Sequence, residues 1–261
     1  MKRTPILVEL WRFRGLLRSL VVRDLKVKYQ RSLLGLFWTL LNPLFTVAIL
    51  VTVFSYVLRI QVDQYWAFLI SGLFVWNFLQ QCLYVAVALL RDSAHLNRSV
   101  YFPREILLLS AALSKMVEFL IELAIVALVL LVFRHHSVPS SFAVTPILIV
   151  ILFLMAVGLM FPLAVLAVFF YDVQQALPIV ILLLFYLSPV FYPVEMVPES
   201  FRLYMYLNPV TGILSLFHLV FYDGLWPSWT MLATIATVAT GLFAIGYWIF
   251  RRYQGVCVEI A

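Results

Sequence analysis

Six stretches of this chain, residues 35–58, 65–90, 106–133, 143–170, 176–192 and 228–250, are long and apolar, and five of the six contain no charged residue. A hydrocarbon layer about 30 Å thick takes roughly 20 helical residues and offers no water to backbone polar groups, so runs of this kind fold as membrane-crossing helices. The chain as a whole is 65% apolar and 11% charged over 261 residues, where a soluble domain has roughly 45–50% and 25%. A water-soluble fold is excluded. The expected class is all-α: a polytopic membrane protein with six transmembrane helices, an N-terminal amphipathic interfacial helix and re-entrant helices between the fifth and sixth spans.

Residues 203–222 are also long enough to span, but they contain Asn208-Pro209 and Gly212 and follow Ser188-Pro189, Pro193 and Pro198 closely. Proline and glycine at that density break helices. Residues 189–225 are therefore expected to end one helix and form short helices that dip into the outer leaflet and return, covered by protein or water. Six crossings put both termini on one side. Fourteen Lys and Arg then share that side, against Arg59, Arg134 and Arg202 opposite and Lys115 within the bilayer. The positive-inside rule assigns the basic side to the cytoplasm, whereas a seventh crossing would carry Arg251 and Arg252 outside. The net charge of +6 thus orients the chain in a membrane and does not call for nucleic acid.

This divides the chain into a cytoplasmic interfacial region, residues 1–34, a transmembrane domain, 35–250, and a cytoplasmic tail, 251–261. Within residues 5–30, Leu10, Phe13, Leu17, Leu20 and Val21 fall on one helical stripe with Arg12, Arg23 and Lys26 roughly opposite, the pattern of a helix lying in the interface. The first apolar run sits behind nine basic residues with no small-residue cleavage site after it, so a removable signal peptide is not expected. Cys82 and Cys257 lie far apart and suggest neither a disulfide framework nor a metal cluster.

Catalytic equipment is not visible. No glycine is followed by lysine, so the phosphate cradle of an ATP-consuming enzyme is missing. Asp24, Asp63, Asp92, Asp172 and Asp223 are isolated rather than paired for Mg²⁺. His95, His135, His136 and His218 lack metal-ligand spacing on a helix. No cofactor and no metal are expected on this chain.

The sharpest polar feature is Lys115, Glu118 and Glu122, spaced to share one face of the third span. Each charge costs roughly 2.5–3.5 kcal/mol at a helix centre while an apolar side chain returns about 0.3–0.6, so the three must face protein or water. A proton or ion relay is one reading and an ion pair with a neighbouring helix is the other. Among the aromatics, Trp38, Tyr56, Tyr65 and Trp66 lie near span ends, where an interface belt accounts for them. Phe74, Trp76 and Phe78 lie mid-span. They are candidates, with Phe37 and Trp38, for walls along which sugar rings slide, or else they pack against lipid.

Three segments in order resemble a known family. The first is Arg23-Asp24-Leu25-Lys26-Val27-Lys28-Tyr29 running into Leu34-Gly35-Leu36-Phe37-Trp38 and Leu41-Asn42-Pro43-Leu44. The second is Val100-Tyr101-Phe102-Pro103-Arg104-Glu105-Ile106-Leu107. The third is Tyr171-Asp172-Val173-Gln174-Gln175, then Tyr186-Leu187-Ser188-Pro189-Val190-Phe191-Tyr192-Pro193 and Leu207-Asn208-Pro209. Together they resemble the permease subunits of ABC-2 type transporters that export bacterial polysaccharides, including O-antigen, capsule and teichoic-acid exporters. Members often carry a proline after the Ile-Leu of the second segment. Leu108 to Ser110 has none, which bears on helix geometry only.

The resemblance implies a non-catalytic permease that exports a lipid-linked polysaccharide. It works as a homodimer, paired with a separate ATPase that holds ATP and Mg, in a bacterial inner membrane, with an undecaprenyl-type glycan carrier as substrate. It implies that the loop after the second span couples to the ATPase through Arg91, Asn97, Arg98, Tyr101, Phe102, Pro103 and Arg104. It likewise places an outer gate at Ser188, Pro189, Tyr192, Pro193, Asn208 and Pro209. Lys28 and Arg31 sit where a lipid diphosphate would lie, or attract anionic phospholipids of the membrane. An ABC permease for a drug or lipid is the nearest alternative, and a membrane-embedded enzyme of polyprenyl-linked sugars a more distant one.

Overall fold

The computed structural model describes residues 11–30, 37–57, 59, 62–92, 104–135 and 137–260, and it is helical, with no strand among them. We number the helices α1 (Arg14–Tyr29), α2 (Phe37–Val51), α3 (Tyr65–Asp92), α4 (Glu105–Leu130), α5 (Thr145–Phe169), α6 (Asp172–Tyr186), α7 (Glu199–Leu207), α8 (Pro209–Phe217) and α9 (Trp229–Ile260). Helices α2, α4 and α8 each run on into a wider π turn, Thr52–Val57, Leu131–His135 and His218–Tyr222. Among the described residues four helical segments are long and apolar enough to cross a membrane, namely Tyr65–Leu89, Glu105–Arg134, Ser140–Phe169 and Trp229–Gly255, and the bent pair Glu199–Leu207 and Pro209–Tyr222 makes a fifth if taken as one span. The chain is a multi-pass membrane protein.

The core is built around α5, which packs between α9 on one side and α3 on the other. Leu152, Met155, Ala156, Val157, Met160, Phe161 and Ala164 on α5 are completely enclosed. Two apolar surfaces gain nothing from leaving lipid, so helices in a bilayer associate where small residues let backbones come close. Gly158 of α5 and Gly246 of α9 serve that purpose. A Cβ built on Gly158 would lie 2.6 Å from the Phe243 nitrogen, and one on Gly246 would collide with the Gly158 carbonyl oxygen. Beside this contact Phe161 meets the rings of Phe243, Tyr247 and Phe250.

Several expectations shift. The fifth apolar stretch was expected over residues 176–192, but α6 begins at Asp172 and ends at Tyr186, because Pro189 and Pro193 have no N–H to continue it. Fifteen residues make α6 about 22 Å long. The last helix, in contrast, continues past residue 250 to Ile260. Between them α7 and the α8 segment meet at 99°. The break falls on Asn208-Pro209 because Pro209 opens α8 at its first position and the Asn208 side chain accepts from the Val210 N–H at 3.0 Å. Proline at the first turn and asparagine at the cap are the residues that start a helix.

Phe74, Trp76 and Phe78 also need correction as wall residues. All three are at most 4% exposed, since α3 is enclosed by α4, α5, α6 and α8. Phe78 packs on Phe119 of α4, and Trp76 on Phe185 of α6 with its indole N–H donating to Gln80. They are core of the single chain. Trp38 alone among the candidate wall residues with a described side chain is open, at 48% exposure. Phe37 starts α2.

Candidate functional site

Among the described residues, three polar clusters involve the residues anticipated from the sequence. One is the end of the bundle where α4 begins and α9 runs out. Arg104 and Glu105 are both buried there, and the Arg251 guanidinium, on α9, donates to Glu105 Oε1 at 3.4 Å while resting 5.0 Å from the Tyr247 ring centre. Residues far apart in sequence thus tie the first turn of α4 to α9. Arg91 lies in the last turn of α3, at the same end. Asn97, Arg98, Tyr101, Phe102, Pro103 and Arg31 lie outside the described residues.

The second cluster joins α1 to α4. Phe13, Leu17, Leu20 and Val21 of the anticipated apolar stripe are half-buried, whereas Arg12, Arg23 and Lys26 are exposed. Helix α1 packs along α4. Near its end the Lys28 ammonium donates to Glu118 Oε2 at 2.8 Å, and Lys115 reaches the same oxygen at 3.3 Å. Glu118 is 3% exposed and Glu122, one turn on, 2%. A carboxylate so enclosed needs a cation beside it. Burial pulls the Lys28 ammonium below the usual lysine range, and its hydrogen bond to Glu118 opposes that pull. The geometry is that of an ion pair between helices.

The third cluster, at the opposite end, holds the residues anticipated as a gate. After α6, the turn through Ser188, Pro189 and Val190 is fully enclosed, although its backbone makes few bonds of its own. Side chains from elsewhere supply them. Asn208 Nδ2 donates to Ser188 Oγ at 2.8 Å, His218 Nε2 lies 3.0 Å from the Pro189 carbonyl, and the Tyr65 hydroxyl donates to the Phe191 carbonyl. Tyr192 turns back to donate to the Tyr186 carbonyl at the end of α6, at 2.8 Å. Partial burial raises the Tyr192 phenol above its ordinary range. A shallow cavity of about 280 Å³ opens beside the turn, lined by Leu184, Tyr192, Phe201, Tyr204 and Asn208 among others. Pro193 is half-buried next to it.

Asn208 has two roles at once, capping α8 and holding Ser188. Asn208→Ala is expected to cost about 1–2 kcal/mol, the usual range for a lost cap with a buried hydrogen bond added. Thermal unfolding of the detergent-solubilised protein would measure it, and Asn208→Asp, which keeps the cap oxygen, should recover about half.

Sequence reading missed His218, Arg251 and the Arg134 contact. Arg134 donates to the Tyr222 carbonyl at 2.8 Å, stacks 3.9 Å over the Tyr222 ring and reaches Asp63 at 3.4 Å. Arg134 lies 71 residues from Asp63 and 88 from Tyr222, Arg251 146 from Glu105, and His218 147 from Ser71, so no local pattern announces these contacts. The one available signal was a single uncharged-run histidine, His218, which needs a partner when buried.

A family model described as ABC-2 type transporter matches residues 15–222. The chain is 30% identical over 237 residues to the O-antigen export system permease protein RfbA of Myxococcus xanthus, covering 90% of each. It is 28% identical over 204 residues to the protein of that name in Klebsiella pneumoniae, covering 77% of this chain and 78% of that one. Similarity extends to the polysialic acid transport protein KpsM of Escherichia coli, 22% identical over 203 residues, covering 76% and 78%.

Proposed function

The chain belongs to the ABC-2 type transporter family, and from that membership we propose that it is the permease subunit of an exporter that moves a lipid-linked polysaccharide outward across a bacterial inner membrane. The observation that carries this reading is the 30% identity, over 90% of both chains, to a protein named for O-antigen export. A second relative named for polysialic acid transport favours a glycan over a small drug as cargo.

In this reading α2, α3, α4, α5, α6 and α9 cross the bilayer, α7 and α8 re-enter the outer leaflet, and the end carrying Arg104 and Arg251 faces the cytoplasm with both termini. The interfacial region, transmembrane domain and tail keep the bounds 1–34, 35–250 and 251–261. ATP and Mg belong to a separate nucleotide-binding subunit, and this chain breaks no bond. ATP binding there favours one of two packed states of the permease. The segment from Arg91 to Arg104, with Asn97, Arg98, Tyr101, Phe102 and Pro103, receives that motion and hands it to α4. The Glu105–Arg251 contact passes it to α9 as well. Six helices, each about 10–12 Å across, leave no bore for a polymer, so two copies form the path.

An ammonium has three donors. Lys28, 39% exposed, can hold Glu118 and still meet a headgroup phosphate, with Arg31 beside it in the chain. Export is tested by reconstituting the chain in vesicles with a candidate ABC ATPase that co-purifies with it and a lipid-linked glycan. ATP should drive the glycan across only when both proteins are present, and the chain alone should hydrolyse no ATP. Glycan transfer or nucleotide turnover by the isolated chain would overturn the reading.

A further inference from the structure

His218, whose Nε2 meets the Pro189 carbonyl, sits in surroundings built around it. It is 6% exposed. Its ring stacks on Phe68 at 4.0 Å, nearly parallel, and Ser71 Oγ lies 2.8 Å from Nδ1. The space it occupies exists because residue 72 is glycine: a Cβ there would lie 2.6 Å from the imidazole Cε1 and 2.7 Å from Nε2. Ser71 and Gly72, with Phe68 one turn before them, thus form a slot on α3 for one imidazole.

What the slot does is aim Nε2 at the Pro189 carbonyl, 3.0 Å away. A carbonyl only accepts, so Nε2 carries the proton and Nδ1 faces the serine hydroxyl. The Pro189 carbonyl follows the end of α6, where helix carbonyls have lost their own donors. In an apolar surrounding an unpaired carbonyl is costly. Tyr65, Asn208 and His218 supply donors to this turn from three different elements.

We propose that His218 is a positioning residue that latches the Ser188–Phe191 turn against α3, keeping the outer end of the bundle sealed until export opens it. The latch rests on the exporter reading only for the claim that this end faces the exit. Opening requires water to replace each donor, which ties release of the turn to hydration of the path.

The test uses the full chain in right-side-out membrane vesicles, with Cys82→Ala and Cys257→Ser as background and Val190→Cys as reporter. Val190 is fully buried. A membrane-impermeant maleimide added outside should label it slowly compared with a cysteine at the exposed Glu199. His218→Leu should raise the Val190→Cys rate about tenfold, the equivalent of one lost buried hydrogen bond. Gly72→Ala, which pushes the imidazole out of its slot, should do the same with His218 still present. His218→Gln, which keeps an N–H donor, should stay within about threefold of the parent. If both His218→Leu and Gly72→Ala label at the parent rate, the latch is wrong. Equal labelling of the Gln and Leu variants would also overturn it, because ring volume rather than donation would then hold the turn. Should His218→Leu not accumulate, the Gly72→Ala and His218→Gln pair decides. Labelling needs neither ATP nor glycan, so failed export with these rates intact would refute the exporter reading alone.

Discussion

Leucine at Gly158 or at Gly246 is expected to drive α5 and α9 apart and leave little folded protein. In most cores an added side chain displaces other side chains, at a cost of about 1–3 kcal/mol. Here the obstruction is backbone on both helices: the Phe243 nitrogen and Leu242 carbonyl carbon lie 2.6 and 2.7 Å from a Cβ on Gly158, and Gly158 itself blocks one on Gly246. Neither can rotate away, so a loss of about 3 kcal/mol or more is expected. Because α5 also carries α3, the damage should spread through the bundle. Gly241, on α9 with nothing within 4 Å of its Cβ position, is the control. Gly241→Ala should be neutral or gain up to about 1 kcal/mol from helix propensity. Size-exclusion elution and thermal unfolding of the solubilised protein would rank the variants. A Gly158→Leu protein that melts with the parent would show that the close approach does not hold the helices together.

That contact was not legible in the sequence, for a physical reason. A glycine in a membrane helix announces only that a backbone can come near, and Gly158 and Gly246 stand among nine glycines with nothing to pair them. What was legible follows from the solvent. Lipid forbids unsatisfied backbone, so apolar length alone gives the long helices, and the stripe on α1 gives the face that packs. Proline and asparagine chemistry gave the break at Asn208-Pro209. Apolar length misled at residues 187–192, where it suggested span although Ser188-Pro189 ends α6. Phe74, Trp76 and Phe78 were misplaced because an aromatic in mid-span reads alike whether it faces lipid, lumen or another helix. His218 shows the limit most clearly. Its partners Phe68, Ser71 and Gly72 lie almost 150 residues earlier, and only the folded chain brings them to it.

The three polar clusters have a common logic. Each uses a side chain to add a polar bond between segments: α9 to the start of α4, α1 to the middle of α4, and the turn after α6 to α3. In lipid such bonds are few, so each one sets which helices move together. Helix α4 carries two of the three. Its first turn is therefore bonded to α9 through Glu105, and its middle to α1 through Glu118.

The second of these links should break in a fixed order. Glu118 serves two cations, Lys28 and Lys115, through one oxygen. Removing one partner of a buried pair costs about 3–5 kcal/mol when both charges stay enclosed. Lys28 is 39% and Lys115 18% exposed, so both can swing toward water, and Glu118→Ala should cost about 1–2 kcal/mol instead. Lys28→Met should cost less, because Glu118 keeps Lys115. Glu118→Lys should cost most, about 3 kcal/mol or more, since it gathers three ammonium groups at one site. Adding Lys28→Glu to Glu118→Lys should recover at least about 1 kcal/mol of that loss, a coupling that only direct contact produces. Thermal unfolding gives the energies, and trypsin cleavage at the arginines of α1 gives the structural consequence, faster as the helix leaves α4. If Lys28→Met proved as damaging as Glu118→Lys, or the reversed pair recovered nothing, the carboxylate would not be what holds α1 in place.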